Sequence, residues 1–406
     1  MSMFSKPKNG MSISTMNCPV CSDVKSRSVF EIGNMPASIG VQYPSRRQAT
    51  DCARGRLDLM FCPKCGFIWN RSFDAGLLEY SQRYDNSLDH SPVFREFARG
   101  LARRLIHTYG ITHKRVLEIG CGKGHFLSLL CEEGGNSGIG FDPSYEGEQI
   151  RSSGHGSIEY HKDFYGEKHV SSQGDMVCCR HVFEHVENPV DFLSTVYRTI
   201  NGDRDVMVYF EVPNVRFILD QLSVWDVIYE HCNYFGCESL EFVFKQAGFE
   251  VIRLEEAYGG QFLSIEARIS KEDWDGRSEA TYNVGTSALA ESVNAFPLHV
   301  AAREKRWIER LALWSRDNTR TVIWGGGAKT VSFLNMLPLG GIISYVVDIN
   351  PNKQGLYIPG SGQEIIAPEF LMDYQPDIVI LMNPIYHREV EFQLEEMKVK
   401  AMVVDA

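Results

Sequence analysis

Residues 115–130, RVLEIGCGKGHFLSLL, place Gly120, Gly122 and Gly124 between a predicted buried strand and a predicted helix. Few features restrict a chain's fold as tightly as a strand that passes into a helix through three closely spaced glycines. Glycine lets the backbone come close to a ligand, and the first turn of the helix offers unpaired N–H groups. Glu118 stands just before the loop. The next apolar run, GIGFD, ends at Asp142, where an acid at the carboxyl edge of a strand can accept bonds from two ribose hydroxyls. DMVCCRH and DVMVYFEVP continue the series as buried strands, with helical stretches between several of them. That alternation predicts a doubly wound α/β sheet. Residues 91–109 read as a helix opened by Ser91 and Pro92.

A second α/β series begins near Thr321. TVIWGGGAKT, ISYVVDIN, DIVILMNP and AMVVDA each offer a strand, and residues 285–318 predict a helix that joins the two series. Gly325, Gly326 and Gly327 form another potential anion-binding turn, with Asp348 at the end of the following strand. Two readings stand side by side: a second nucleotide site, or glycines that only make the turn. Lys329, Asn383, Tyr386 and His387 lie near predicted strand ends and are candidate phosphate contacts.

CPVC (Cys18, Cys21) and CPKC (Cys62, Cys65) are identically spaced pairs separated by residues 22–61. Two Cys-x-x-Cys turns can complete one tetrahedral four-thiolate Zn2+ site, closed and structural because no ligand position stays open. A redox pair is the rival reading. Cys52 falls outside this spacing and reads as a buried or free thiol; Cys121, Cys131, Cys178 and Cys179 read as packing residues. The chain has 406 residues, a formal charge of −11, 44% apolar and 23% charged residues. This acidic balance argues against a broad nucleic-acid or anionic-membrane surface. No apolar run is long enough for a transmembrane helix, and the polar first residues lack an apolar signal core. A cytoplasmic protein is expected, in which eleven cysteines serve as thiols or ligands rather than disulfides.

Two further stretches carry chemistry. CCRHVFEHV puts His181 at the carboxyl end of the fourth predicted strand, on the ligand edge of an open sheet. His185 lies four residues on, a spacing that could bind a metal, although no third ligand is evident; a structural role leads for it. WDVIYEHCNYFG sets Glu230 beside His231. A carboxylate can hold a histidine in one tautomer and raise its basicity. The alternative is a buried pair that satisfies loop backbone groups.

The E-x-G-C-G-x-G arrangement from Glu118 to Gly124, followed by Asp142, resembles class I S-adenosylmethionine methyltransferases. That resemblance implies the amino-acid half of the cofactor on the glycine loop and the adenine near Asp163 and Phe164. NAD fits less well, since His125 takes the third glycine position of G-x-G-x-x-G; a purely structural loop is the remaining reading. The four-cysteine module, RHVFEHV, YEHCNYF, VVDINP and KQGLYIPG together resemble the sugar C-methyltransferases of deoxysugar biosynthesis, which methylate carbon 3 of nucleotide-linked 4-keto deoxysugars. The resemblance implies His231 as base, Glu230 as its partner, His181 as a substrate contact, and an upstream tyrosine, Tyr84 in preference to Tyr80. Better-known members read Tyr-His-Glu-His at the base; here Ile228 and Tyr229 fill the two preceding places, so Tyr229 is a candidate shifted by one residue.

The resulting expectation is a class I Rossmann-like methyltransferase core with an N-terminal four-cysteine zinc module and a second C-terminal Rossmann-like α/β domain. The expected boundaries are a tail at 1–16, a zinc module at 17–72, a methyltransferase domain at 73–284 and a C-terminal domain at 285–406. The nucleotide-sugar would lie between domains. An O- or N-methyltransferase of a small metabolite is the nearest alternative; a non-catalytic zinc-stabilised protein that binds nucleotide-sugar or a partner is the second.

Overall fold

The computed structural model describes residues 16–78, 87–153, 156–270, 288–338 and 341–406. Among them, three sheets organise the chain. The first is antiparallel: β1 (Arg27–Pro36), β2 (Arg54–Phe61) and β3 (Ile68–Asn70), with the short helix α1 (Arg46–Thr50) between β1 and β2. Its fourth strand, β10 (Asn233–Tyr234), comes from far along the sequence and pairs with β3 through Asn233 opposite Trp69 and Tyr234 opposite Ile68.

The central sheet follows α2 (Pro92–Tyr109). Ser91 caps this helix by accepting the Phe94 N–H, Pro92 opens it, and Gly110 closes it in the left-handed region at φ 64°. Phe94, Ala98, Leu101, Ala102, Leu105 and Ile106 recur at helical spacing and are its buried face. The chain continues through β4 (Arg115–Ile119), α3 (His125–Gly134), β5 (Ser137–Phe141), β6 (Ile150–Ser153), β7 (Gly156–His161), β8 (Met176–Arg180), α4 (Pro189–Ile200), β9 (Met207–Pro213), α5 (Val215–Asp220), β10, α6 (Cys237–Gln246), β11 (Phe249–Ala257) and β12 (Phe262–Ile269). The strand order is β11-β12-β9-β8-β4-β5-β7-β6. Strands β9, β8, β4, β5 and β7 run parallel, and β6, β12 and β11 make the antiparallel margins. The chain reverses direction across the sheet between β4 and β8, which opens a crevice at their carboxyl ends.

The third sheet is parallel, in the order β15-β14-β13-β16-β17. It comprises β13 (Thr321–Trp324), β14 (Ile343–Val347), β15 (Glu364–Ile366), β16 (Ile378–Leu381) and β17 (Met402–Asp405), with helices α8 (Ala328–Met336), α9 (Leu371–Tyr374) and α10 (His387–Glu396). Its first switch point falls between β13 and β16. Helix α7 (Ala288–Arg316) ties this sheet to the first one. Phe296 on α7 meets Phe30 on β1 at 5.1 Å between ring centroids, and Trp307 meets Phe333 on α8 at 5.1 Å. The first sheet is also joined to the central one: Phe67, Phe235 and Phe183 form an aromatic chain, with the last two stacked at 4.8 Å. No described helix is long and apolar enough to cross a membrane.

Candidate active site

One cavity of about 720 Å³ extends from the carboxyl edge of the central sheet to that of the C-terminal sheet. At its first end lies the glycine loop. Gly120, Gly122 and Gly124 all have positive φ, and a Cβ on Gly120 would stand 2.0 Å from Val182 Cγ2. Both backbone shape and close approach therefore require glycine there. The Gly122 N–H donates to Asp142 Oδ2 at 2.8 Å, while Asp142 Oδ1 accepts from Ser144 N–H and Oγ–H. Asp142 is thus held at the lip of the crevice. Glu118 is buried, its Oε2 has no hydrogen-bond partner, and burial raises its pKa to about 8. Such a carboxyl group suits a cationic ligand portion. Asp163 and the exposed Phe164 line the same end, with Asp163 paired to Lys168 and His169. These groups fit S-adenosylmethionine: an acid for ribose, an orphaned acid for the ammonium end, and an aromatic ring at the margin.

The other end repeats the device. Gly326 N–H donates to Asp348 Oδ2 at 2.7 Å, and Lys353, itself buried, sets its Nζ 3.8 Å from the same oxygen. Lys329, Asn383 and Tyr386 line the cavity. Lys329 pairs with Asp226 at 2.6 Å and Asn383 hydrogen-bonds Gln261. His387, a candidate phosphate contact, instead pairs with Asp405 and Glu391 and is not part of the cavity wall.

Between the two ends stand three histidines and two buried acids. His181 adopts φ 55°, a conformation that costs a non-glycine residue about 1–2 kcal/mol. It leaves β8 at the sheet's edge, with its ring edge-on to Phe262. His181 Nε2 lies 3.0 Å from Glu211 Oε1, and that oxygen accepts hydrogen bonds from Arg180 Nε and Nη2. Burial alone would raise the Glu211 pKa; Arg180 and His181 overcome it and hold the carboxyl at about 2. Arg180 lies 4.2 Å over the Phe126 ring. His231 lines the cavity, and burial, with His185 and His181 nearby, lowers its pKa well below the usual value. Sequence reasoning assigned no role to Glu211 or Glu184. The signal for Glu211 was an acid in the otherwise apolar run MVYFEVP.

The structure corrects the expected pairing around His231. Glu230 turns its carboxylate into the N-terminal module, where Oε1 accepts the N–H groups of Ile39 at 2.5 Å and Gly40 at 3.4 Å. The acid beside His231 in the cavity wall is Glu184, with Oε1 4.0 Å from His231 Nε2. Tyr229 also turns away. Its hydroxyl accepts from Asp74 N–H at 2.8 Å, its ring packs against Gly55 and Phe73, and it lies outside the cavity wall. The physical reason is a tight turn: the His231 N–H donates to the Ile228 carbonyl at 3.3 Å, so Tyr229 and Glu230 occupy the turn's two central positions and Ile228 and His231 return to one side. Ile228 and His231 reach the cavity, while Tyr229 and Glu230 anchor the segment. Tyr80 and Tyr84 lie outside the described residues.

Cys18, Cys21, Cys62 and Cys65 converge, their sulfurs all within 4.8 Å of one another. Cys18 to Cys65 is 3.7 Å and Cys21 to Cys62 is 3.5 Å. A tetrahedral zinc with Zn–S bonds of ~2.3 Å sets its sulfurs ~3.8 Å apart. Each pair sits on a tight turn closed by a left-handed residue, Ser22 at φ 58° and Gly66 at φ 74°. The donor set therefore fits Zn2+.

The sequence matches the family model of a methyltransferase domain over residues 93–254 and that of a C-methyltransferase C-terminal domain over residues 278–402. A tRNA U34 carboxymethyltransferase of Sulfurimonas denitrificans is 25% identical over 147 residues, 29% of this chain and 48% of that protein. The chain thus spans about half the length of the curated relative it matches. Among solved structures, a 1,6-didemethyltoxoflavin-N1-methyltransferase of Burkholderia thailandensis aligns at 14% identity and TM-score 0.32, over 44% of this chain and 81% of that one. Magnesium protoporphyrin IX methyltransferase of Synechocystis aligns at 16% identity and TM-score 0.34, over 44% and 84%.

A central sheet of this order and its glycine loop define the class I Rossmann-like methyltransferase fold, and residues 93–254 match a methyltransferase domain. The last third matches a C-methyltransferase C-terminal domain.

Proposed function

We propose that the chain transfers a methyl group from S-adenosylmethionine to carbon 3 of a nucleotide-linked 4-keto deoxysugar through an enolate. The observation that carries this reading is the single cavity that joins the Gly120–Gly124 loop to the Gly325–Gly327 loop, with His231 and His181 in the wall between. A small free acceptor needs only the first loop. An acceptor with a long anionic handle uses both, with Gly326, Gly327 and the buried Lys353 beside its phosphates.

The 4-keto group makes the C3 proton acidic. His231 takes that proton, and the C–H electron pair becomes the enolate double bond while charge moves to O4. His181 donates to that oxygen. Held by Glu118, Asp142 and the Gly120–Gly124 loop, S-adenosylmethionine would supply the methyl group to C3, its sulfonium becoming a thioether. Glu230 and Tyr229 position His231 by fixing its segment to the N-terminal module, whose cysteines hold a structural Zn2+. Residues 17–72, 73–284 and 285–406 serve as metal-binding, cofactor-binding and handle-binding units. A reducing cytoplasm suits the thiols.

The test is mass spectrometry of a panel of nucleotide-sugars incubated with methyl-labelled cofactor, followed by NMR of the product. The expected product is a 4-keto deoxysugar with a new C–CH3 at C3. Label on oxygen or nitrogen, or equal turnover of sugars without the nucleotide, sinks the reading.

A further inference from the structure

We propose that Glu184, His185 and His231 form a second metal site, on the cavity floor, that takes a divalent first-row transition ion. One donor atom from each residue lies within 4.8 Å of the other two, and all three residues line the cavity. Glu184 is 2% exposed, yet its Oε2 has no hydrogen-bond partner; His231 Nδ1 is likewise buried and without one. A carboxylate oxygen orphaned in a protein interior calls for a ligand that satisfies it. Glu184 Oε1 lies 4.0 Å from His231 Nε2 and 4.0 Å from His181 Nδ1, too far for hydrogen bonds. Two donors each ~2.1 Å from one ion stand roughly 3–4 Å apart, so small side-chain adjustments suffice.

The orientation of His185 supports a ligand role. Its Nδ1 lies 3.0 Å from the Glu230 carbonyl oxygen, so Nδ1 carries the proton and donates, leaving the lone pair on Nε2. Metal-binding histidines are commonly fixed by such a bond from the opposite ring nitrogen. Two imidazoles and a carboxylate favour Zn2+, Co2+ or Fe2+ over Mg2+ or Ca2+. With three protein ligands, further coordination positions face the cavity. Because His231 has one lone pair, metal occupancy and proton abstraction exclude each other; this consequence rests on the function proposed above, while the binding claim does not.

The test uses the full chain with its cysteine site loaded with zinc, titrated with Co2+ alone by calorimetry and visible absorption. One additional Co2+ per chain is expected, with a ligand-field spectrum of nitrogen and oxygen donors. Glu184→Gln and His185→Ala should each weaken it at least tenfold while bound zinc stays at one per chain. Cofactor affinity and melting temperature report whether each variant is folded; if His185→Ala is not, Glu184→Gln decides. No Co2+ uptake beyond the cysteine site, or uptake unchanged in a folded variant, overturns the proposal. Neither outcome depends on finding the methyl acceptor.

Discussion

The Glu230 carboxylate accepts the Ile39 N–H at 2.5 Å, across 191 residues of sequence. This bond fastens the segment that carries His231 to the N-terminal module, close to where β10 pairs with β3. The module thereby becomes part of the active-site scaffold.

Glu230→Ala should therefore act through His231. It leaves two buried backbone N–H groups poorly satisfied, a cost of about 1–3 kcal/mol in stability. A misplacement of His231 by about 1 Å lowers kcat on the order of 10–100-fold. Cofactor affinity should stay unchanged, because Glu118, Asp142 and the glycine loop belong to other elements. Denaturant melts, steady-state kinetics and cofactor calorimetry check this. A variant that loses cofactor affinity with kcat intact contradicts it.

The zinc site proposed at the cysteines should matter for the same reason. Cys62 opens the turn after β2, and β3 follows that turn into the pairing with β10. Cys62→Ser should lose the bound zinc, lower the melting temperature and reduce turnover together. Retained turnover in a zinc-free variant contradicts a scaffold role.

Much of the fold was legible because its signals are local. The glycine loops, the buried strands and helix α2 each announce themselves within a dozen residues, and the two Cys-x-x-Cys turns do so by spacing. The bonds from Tyr229 and Glu230 to Asp74 and Ile39 are non-local, and they hold those two side chains away from the cavity. Adjacency in sequence paired Glu230 with His231; the turn from Ile228 to His231 separated their carboxylate and imidazole. Glu184, three residues beyond His181, reaches the cavity because a 3-10 turn over Phe183–His185 follows the left-handed His181. No periodicity in the sequence signals that backbone turn.

Glu118 supplies a pH signature. Burial raises its folded pKa from 4.5 to about 8, so at pH 7 the cofactor-free protein keeps it protonated. Its contribution to stability is fully present below the unfolded value and is lost as pH rises through the window to about 8. A cationic cofactor beside it favours the carboxylate, so binding releases a proton and affinity rises with pH up to about 8, then levels. Calorimetry at pH 7 in two buffers of different ionisation enthalpy measures this release. It should be absent in Glu118→Gln; equal release in that variant assigns the proton elsewhere.

The central claim is that His231 removes a proton from the carbon that is methylated. The direct measurement is exchange of that hydrogen with D2O, followed by NMR for the wild type and for His231→Ala with the nucleotide-sugar that the panel identifies. The account predicts exchange in the wild type and none above background in His231→Ala, with cofactor affinity preserved. Exchange at the wild-type rate in the variant would remove His231 as the base.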